Sequence, residues 1–302
     1  MRNNLLSETD VCFRKPREER MEAGQRALFA IIFVLFVLYA ITLLYPVIWM
    51  FMSSLKGSLE YSGGDPFALP QKWLFSNYLE AVRTLKLKNT TYFGMIWNSL
   101  WTAGGSVIVG LFASAIVCYV MAKLEFPGRK IIYTINILIM MIPIYGALAA
   151  DFKLKGDLGL YDNPLNIIIS SLGPITGMRF LVLYAFFKGI SWEYAEAGLV
   201  DGASQARIFF SIMLPQAIPP LVTFAMTDFI AAWNDYMTPL IYLPSYPTLA
   251  SGLYEYEANM TRAVKYPVYY AGVIISTIPI LALFVAFRDM FMSSLSVGGL
   301  KG

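Results

Sequence analysis

Long apolar runs recur along this chain, and they decide which solvent it folds in. The run from Leu28 to Met52 comes first, and others fall at 95–121, 131–150, 165–187, 221–243 and 268–287. In water, an apolar run of more than about 18 residues needs burial on every side, whereas about 20 residues of helix cross the hydrocarbon core of a bilayer. The pattern therefore predicts an all-α membrane protein with about six transmembrane helices and the lipid bilayer as its main surroundings. Composition agrees, with 57% hydrophobic and 14% charged residues against roughly 25% charged in a soluble domain.

Residues 1–27 are polar and carry Arg2, Arg14, Lys15, Arg17, Arg20 and Arg26. A secretory signal has an apolar core of about 7–15 residues followed by a small-residue cleavage site. Here the run is far longer and leads into Phe51, Met52 and Ser53, so it is expected to remain as the first span. The chain thus reads as a tail, 1–27, and a membrane domain, 28–302. With the tail in the cytoplasm, inside segments hold about thirteen Lys and Arg and outside ones about nine, and the short loop Lys123–Lys130 is the best carrier of that bias. Both termini are expected to face the cytoplasm. The segment 53–94 then lies outside, either packed over the outer mouth or solvated with interfacial aromatics such as Tyr61, Trp73, Tyr78 and Tyr92.

Several functions are excluded early. A net charge of +3 with basic residues scattered between spans does not suit nucleic acid. The absence of histidine removes His-dependent triads, HExxH zinc sites and imidazole relays. Cys12 sits in the polar tail and Cys118 in an apolar run, without CxxC spacing, so neither a disulfide nor a metal site is expected. In the second span Gly110, Ser114 and Cys118 recur every four residues and predict close helix packing on that face. In the fourth, Ser170, Ser171, Leu172, Gly173 and Pro174 predict a kink or break, since proline lacks a donor and crowds the preceding turn.

Between the fourth and fifth spans, residues 188–220 should carry helices of their own. Ser191 suits an N-cap, Glu193 the first turn, and Gly202 a left-handed ending. A second short helix can start at Ser204, run through Ile208, Phe209, Ile212 and Met213, and stop before Pro215. Such helices at the inner surface serve either as a membrane-surface anchor or as a docking element for a cytoplasmic partner. The first is expected to pack through Ala195, Ala197, Gly198 and Leu199 as a rigid lever.

This loop reads EYAEAGLVDGASQARIFFSIMLP. It resembles the integral membrane subunits of bacterial binding-protein-dependent ABC importers, whose inner loop follows EAA, three residues, G, nine residues, I-x-L-P. Glu196, Ala197 and Gly198 take the EAA places, Gly202 the glycine with Asp201 beside it, and Ile212, Leu214 and Pro215 the close. Gly198 departs from the usual alanine, which weakens the helix by up to about 1 kcal/mol but keeps the side chain small. The likeness is greatest to the maltose-type, carbohydrate branch. Further support comes from Trp233, Asn234 and Asp235 followed by Pro239 and Leu240, and from the ending Gly298, Gly299, Leu300, Lys301, Gly302.

The resemblance implies a type I importer permease in the bacterial inner membrane, transporting a sugar or oligosaccharide. Its loop would be the coupling helix seated in a separate cytoplasmic ATPase. Two ATPase copies, a second permease subunit and an extracytoplasmic solute-binding protein are implied as partners. ATP and Mg are expected on the ATPase alone, because this chain has no GxxxxGK[ST] phosphate loop and no catalytic residues of its own.

Ionisable groups within spans cost about 2.5–3.5 kcal/mol to insert and mark function. Arg179 and Asp228, at similar depth at about 1.5 Å per residue, are expected to pair; otherwise Arg179 snorkels inward and Asp228 faces a wet cavity alone. Asp235 lies two helical turns beyond Asp228 on the same face, with Asn234 adjacent. That face, with Trp233, either lines a path for hydroxyl-rich solutes or serves as interhelical glue. The competing classes are an ion-coupled carrier, for which no convincing internal repeat is found, and an intramembrane enzyme, for which few activated pairs are available without histidine. A permease for a non-sugar solute is the nearer alternative.

Overall fold

The structure is a computed structural model that describes residues 23–142, 146–172, 177–259 and 265–297, the last of these as backbone only from 291 onward. Residues 1–22 of the basic tail, with Cys12, the Gly173–Pro174 break and the ending from Gly298 to Gly302 lie outside the described residues, whereas 23–27 already belong to the first helix. All named elements are helical, and one isolated antiparallel bridge joins Leu87 and Thr90.

The chain divides after Met50 into two units. Helix α1, Ala23–Ser54, has no polar face, and all of its residues from Gly24 to Ile48 are exposed. A helix apolar all round is stable only when lipid or protein covers it.

The larger unit begins with α2 (Ser58–Gly63), α3 (Ser76–Thr84), α4 (Tyr92–Lys123), α5 (Arg129–Met141), α6 (Leu148–Asp157), α7 (Leu165–Ser171) and α8 (Met178–Gly189). The following loop forms α9 (Glu193–Val200), α10 (Gln205–Ile208), a π-helical turn Phe209–Met213 and α11 (Leu214–Gln216). Then come α12 (Ile218–Asn234), α13 (Met237–Tyr242), α14 (Leu249–Ala258) and α15 (Tyr266–Val297). Among the described residues three helices are long and apolar enough to cross a membrane, Gly24–Ser54, Tyr92–Lys123 and Tyr266–Met290. A fourth crossing is available if Gln205–Gln216 and Ile218–Asn234, bent by 73°, act together.

Two of the expected continuous runs are interrupted where local chemistry outweighs apolarity. The run 131–150 ends as helix at Met141, because Ile142 (φ −89°, ψ 113°) precedes Pro143, whose ring disfavours helical backbone in its predecessor. The run 221–243 breaks after Asn234: Asp235 is extended, and its carboxylate accepts the N–H groups of Met237 and Thr238, both at 3.0 Å, starting α13. The expected run 165–187 is occupied by α7 and α8.

Helix α4 is central and packs against α7, α8, α12 and α14. One core joins the end of α4 (Cys118, Tyr119, Met121) to α8 (Phe180, Leu183, Phe187) and the loop helices. The other joins its beginning (Tyr92, Met95) to α3, α12, α14 and α15. The small-residue face of α4 is buried as its spacing predicts, and Cys118 Sγ lies 3.7 Å from the Phe180 carbonyl oxygen of α8.

Segment 53–94 is a packed structure. Asn77 donates to the carbonyls of Ser54 and Lys56 at 2.8 and 2.9 Å, the buried Lys56 ammonium donates to those of Asp65 and Pro66, and the Tyr61 and Tyr270 hydroxyls meet at 2.8 Å. Helix α6 is clipped to the end of α13. The Tyr242 hydroxyl donates to Asp151 at 2.5 Å, and Lys155 lies over the Tyr242 ring at 4.0 Å while pairing with Asp151 at 2.9 Å. The Tyr242 hydrogen bond and Lys155 hold the Asp151 carboxyl below its ordinary value.

Asp162 completes the clip. Its φ is +53°, and its carboxylate accepts from Ser245 N at 2.9 Å and Ser245 Oγ at 2.6 Å. Asp162→Ala should lower stability by about 1–3 kcal/mol, from two lost hydrogen bonds and a left-handed backbone that alanine resists. Thermal unfolding in detergent checks this; Asp162→Asn, which keeps an acceptor and tolerates that conformation, should lose less.

Candidate functional site

The loop 188–220 is built from short-range chemistry. Ser191 Oγ accepts the Glu193 N–H at 3.3 Å, and Glu193 and Glu196 occupy the first turn of α9, where negative charge suits the helix dipole. At the other end Gly202 has φ +75°. There the Gly202 N–H reaches the Leu199 carbonyl at 3.0 Å and the Ala203 N–H reaches that of Gly198 at 2.9 Å, the paired closure of a left-handed helix end. Ser204 Oγ accepts the Arg207 N–H at 3.3 Å and starts α10.

The second loop helix does not stop before Pro215. It widens into the π-helical turn 209–213 and continues through Gln216, with Pro215 in the first turn of α11, where its missing donor costs little. A 73° bend then leads into α12.

Packing separates the two faces of α9. Ala195 and Gly198 are buried, joined to a core with Ile208, Phe209, Met213 and Ala217 and with the ends of α4 and α8. A Cβ on Gly198 would stand 3.0 Å from Ile212 Cδ1 and 3.2 Å from Ile208 Cγ1, so its glycine permits the close approach of α9 to the second loop helix. Ala197 and Leu199, expected to pack, face outward instead, because residues three apart define the inner face and these two fall off it. The outer face presents Tyr194, Glu196, Ala197, Leu199, Asp201 and Val200, the last 87% exposed. Leu214 is half-buried and Pro215 exposed at the turn toward α12.

Within the helical body, Arg179 Nη1 donates to Asp228 Oδ2 at 2.8 Å, joining α8 to α12. The pair borders a cavity of about 310 Å³ that Ser106, Gly110, Ser170 and Ser171 also line. A neighbouring cavity of about 130 Å³ shares Ser106, Ser170 and Ser171 and extends to Asp235 and Thr238. Asp228 and Asp235 therefore border two adjoining cavities joined by three shared serines, although the break after Asn234 removes the continuous helix face expected to align them. Asn234 is exposed and bonded to the Ile230 carbonyl at 2.8 Å.

Trp233 does not face the groove. It is buried against Phe229 and donates its indole N–H to the Ser276 carbonyl of α15 at 3.1 Å, since an aromatic ring with one donor is best satisfied between two packed helices. Three groove residues escaped the sequence reading. Ser106 lies one turn before Gly110 on the small-residue face of α4, a legible signal; Ser170 and Ser171 had appeared only as part of a helix break. Among the described residues no three His, Cys, Asp or Glu side chains converge as metal ligands.

The chain is thus an all-helical body with a central helix and a capped loop helix locked to it. The structure aligns with a bacterial ABC transporter involved in the import of alginate at a TM-score of 0.77 and 22% identity, covering 90% of this chain and 99% of that one. The type I importer permease fold is thereby shown. Residues 106–297 match the family of binding-protein-dependent transport system inner membrane components, and the chain belongs to that family. It is a non-catalytic membrane subunit of such a system.

Relatives extend over most of the chain. The diacetylchitobiose uptake system permease NgcG of Streptomyces coelicolor is 28% identical, covering 91% of this chain and 90% of its own. The trehalose transport system permease SugB of Mycobacterium tuberculosis is 28% identical, covering 93% and 100%. The arabinooligosaccharides permease AraQ of Halalkalibacterium halodurans is 31% identical, covering 72% and 81%.

Proposed function

We propose that this subunit forms half of the translocation path of an ATP-driven importer for a sugar or oligosaccharide, with α9 docked to a separate cytoplasmic ATPase. The geometry of α9 carries the reading. Its inner face is locked to α4 and α8 while its outer face, from Tyr194 to Asp201, is open to a partner. A displacement of that outer face passes to the long helices because close-packed interfaces switch between arrangements instead of yielding smoothly. Glu196, Ala197, Asp201 and Leu199 meet the ATPase; Gly198, Gly202, Ile212, Leu214 and Pro215 hold the lever in shape.

The groove around Arg179, Asp228 and Asp235 borders the solute path in this reading. Serine hydroxyls, a guanidinium and carboxylates offer both donors and acceptors, which suits a polyhydroxylated solute. The three relatives named above, each called a transporter of a sugar compound, support that substrate class. The complex consists of this chain, a second permease subunit, two ATPase copies that hold ATP and Mg, and an extracytoplasmic solute-binding protein. The end bearing α9 and both termini face the cytoplasm of a bacterial cell.

Two measurements test the proposal together. Sugar uptake in proteoliposomes of the whole complex should be abolished by vanadate. A Val200→Cys variant in a Cys12→Ser background should react with a membrane-impermeant maleimide only after the cell membrane is opened. Vanadate-resistant uptake, or labelling of intact spheroplasts, would remove the importer reading.

A further inference from the structure

At the end of the molecule that carries α9, a groove of about 880 Å³ opens beside the turn between α4 and α5 and reaches Tyr184 of α8. Its lining combines Met121, Ile131, Tyr133 and Tyr184 with charged Arg129 and Lys130, and Glu125 is its one acidic member. Two further cations lie outside its lining, at the ends of α4 and α8. Lys188 Nζ lies 6.0 Å from the centre of the Tyr184 ring, and the Lys123 ammonium donates to the carbonyl of Ile190 and, at 3.5 Å, to that of Lys188. Arg129 is held in place by the carbonyls of Ala122 and Leu124 at 3.1 and 3.3 Å, which leaves its charge unneutralised.

None of these four cations forms an ion pair among the described residues, whose pairs are those of Lys155, Arg179, Lys265 and Arg288. The lining itself holds two cations against one carboxylate, and Lys123 and Lys188 add positive charge at the packed ends of α4 and α8. Helix α5, which forms one side, buries none of its side chains, and Ile131, Ile135 and Leu138 recur along one exposed flank.

A basic cluster at the ends of membrane helices lies at headgroup depth, and an unpartnered apolar flank above it is acyl-chain depth. We infer that this groove binds a membrane phospholipid with an anionic headgroup, its phosphate among Lys123, Arg129, Lys130 and Lys188 and an acyl chain along Ile131, Ile135 and Leu138. The inference rests on the proposed placement of loop 188–220 at a membrane surface. Such a lipid bridges α4, α5 and α8 directly beside the base of α9. Lys130 and Lys188 supply charge without holding backbone carbonyls, unlike Lys123 and Arg129.

The test is native mass spectrometry of the intact complex, titrated with phosphatidylglycerol and phosphatidylcholine of equal chain length. Wild type should retain phosphatidylglycerol in preference, and Lys130→Gln with Lys188→Gln should reduce that preference by about fivefold for each charge removed. Equal retention of the two lipids by wild type would overturn the inference without recourse to any variant, as would an unchanged preference in the double variant. Displacement of the bound lipid by millimolar inorganic phosphate would also overturn it, by making this a site for the free ion. The same spectra report subunit composition: absence of an ATPase from the complex counts against the importer reading, while the lipid comparison stands or falls on its own.

Discussion

Asp228→Ala should reduce uptake at least tenfold and lower the amount of folded subunit recovered from membranes. The Arg179 guanidinium, 2.8 Å from Asp228, would lose its counter-charge inside the helical body. Breaking a fully buried pair costs about 3–5 kcal/mol; the two side chains here keep 27% and 35% exposure to the polar groove, so about 1–3 kcal/mol is the expected loss. Because a tenfold change corresponds to about 1.4 kcal/mol, even the middle of that range is easily measured. The double variant Arg179→Met, Asp228→Leu separates the two roles of the pair. It should restore expression, since apolar replacement of an ion pair is often neutral, while uptake stays low. Full recovery of uptake would mean that the pair only holds α8 to α12 and that the solute passes elsewhere.

Gly198→Leu should abolish coupling while leaving the protein in the membrane. The position of its Cβ already lies 3.0 Å from Ile212 and 3.2 Å from Ile208, and leucine adds three further carbons where no space remains. Overpacking of this kind costs about 1–3 kcal/mol. The strain is relieved most cheaply by lifting α9, whose other anchor is the small Ala195, away from the second loop helix. The expected readout is an ATPase that no longer copurifies, together with loss of vanadate-sensitive uptake. Gly198→Ala is the informative control. It gains up to about 1 kcal/mol of helix propensity against neighbours that must give way by a few tenths of an ångström, and the flexible ends of Ile208 and Ile212 can do so. That variant should stay close to wild type. A leucine variant with normal uptake would show that α9 need not sit on Ile212 to transmit motion.

The contrast between these two sites follows the range of the forces that build them. A left-handed ending at Gly202 and a hydroxyl cap at Ser204 are made within a few residues, and the sequence alone located both. That α1, α4 and α15 are long apolar helices was legible for the same reason, since apolarity accumulates along a single segment, although each helix runs past the ends of its apolar run. The Arg179–Asp228 pair was within reach as well, because two lone opposite charges at one depth have few other partners. By contrast, the stop of the helix at Met141 and the break at Asp235 turn on one proline and one carboxylate inside apolar runs that read as continuous.

Local pattern determined that this chain is a helical membrane protein with a capped loop helix of the importer family. Which way each side chain points was decided by tertiary packing. Lipid and protein interior are both apolar, so a membrane helix lacks the polar outer face that would mark its inner one. Hence Trp233 is committed to α15, Ala197 faces outward, and Ser106 meets Ser170 and Ser171 to form the groove, each through neighbours remote in sequence.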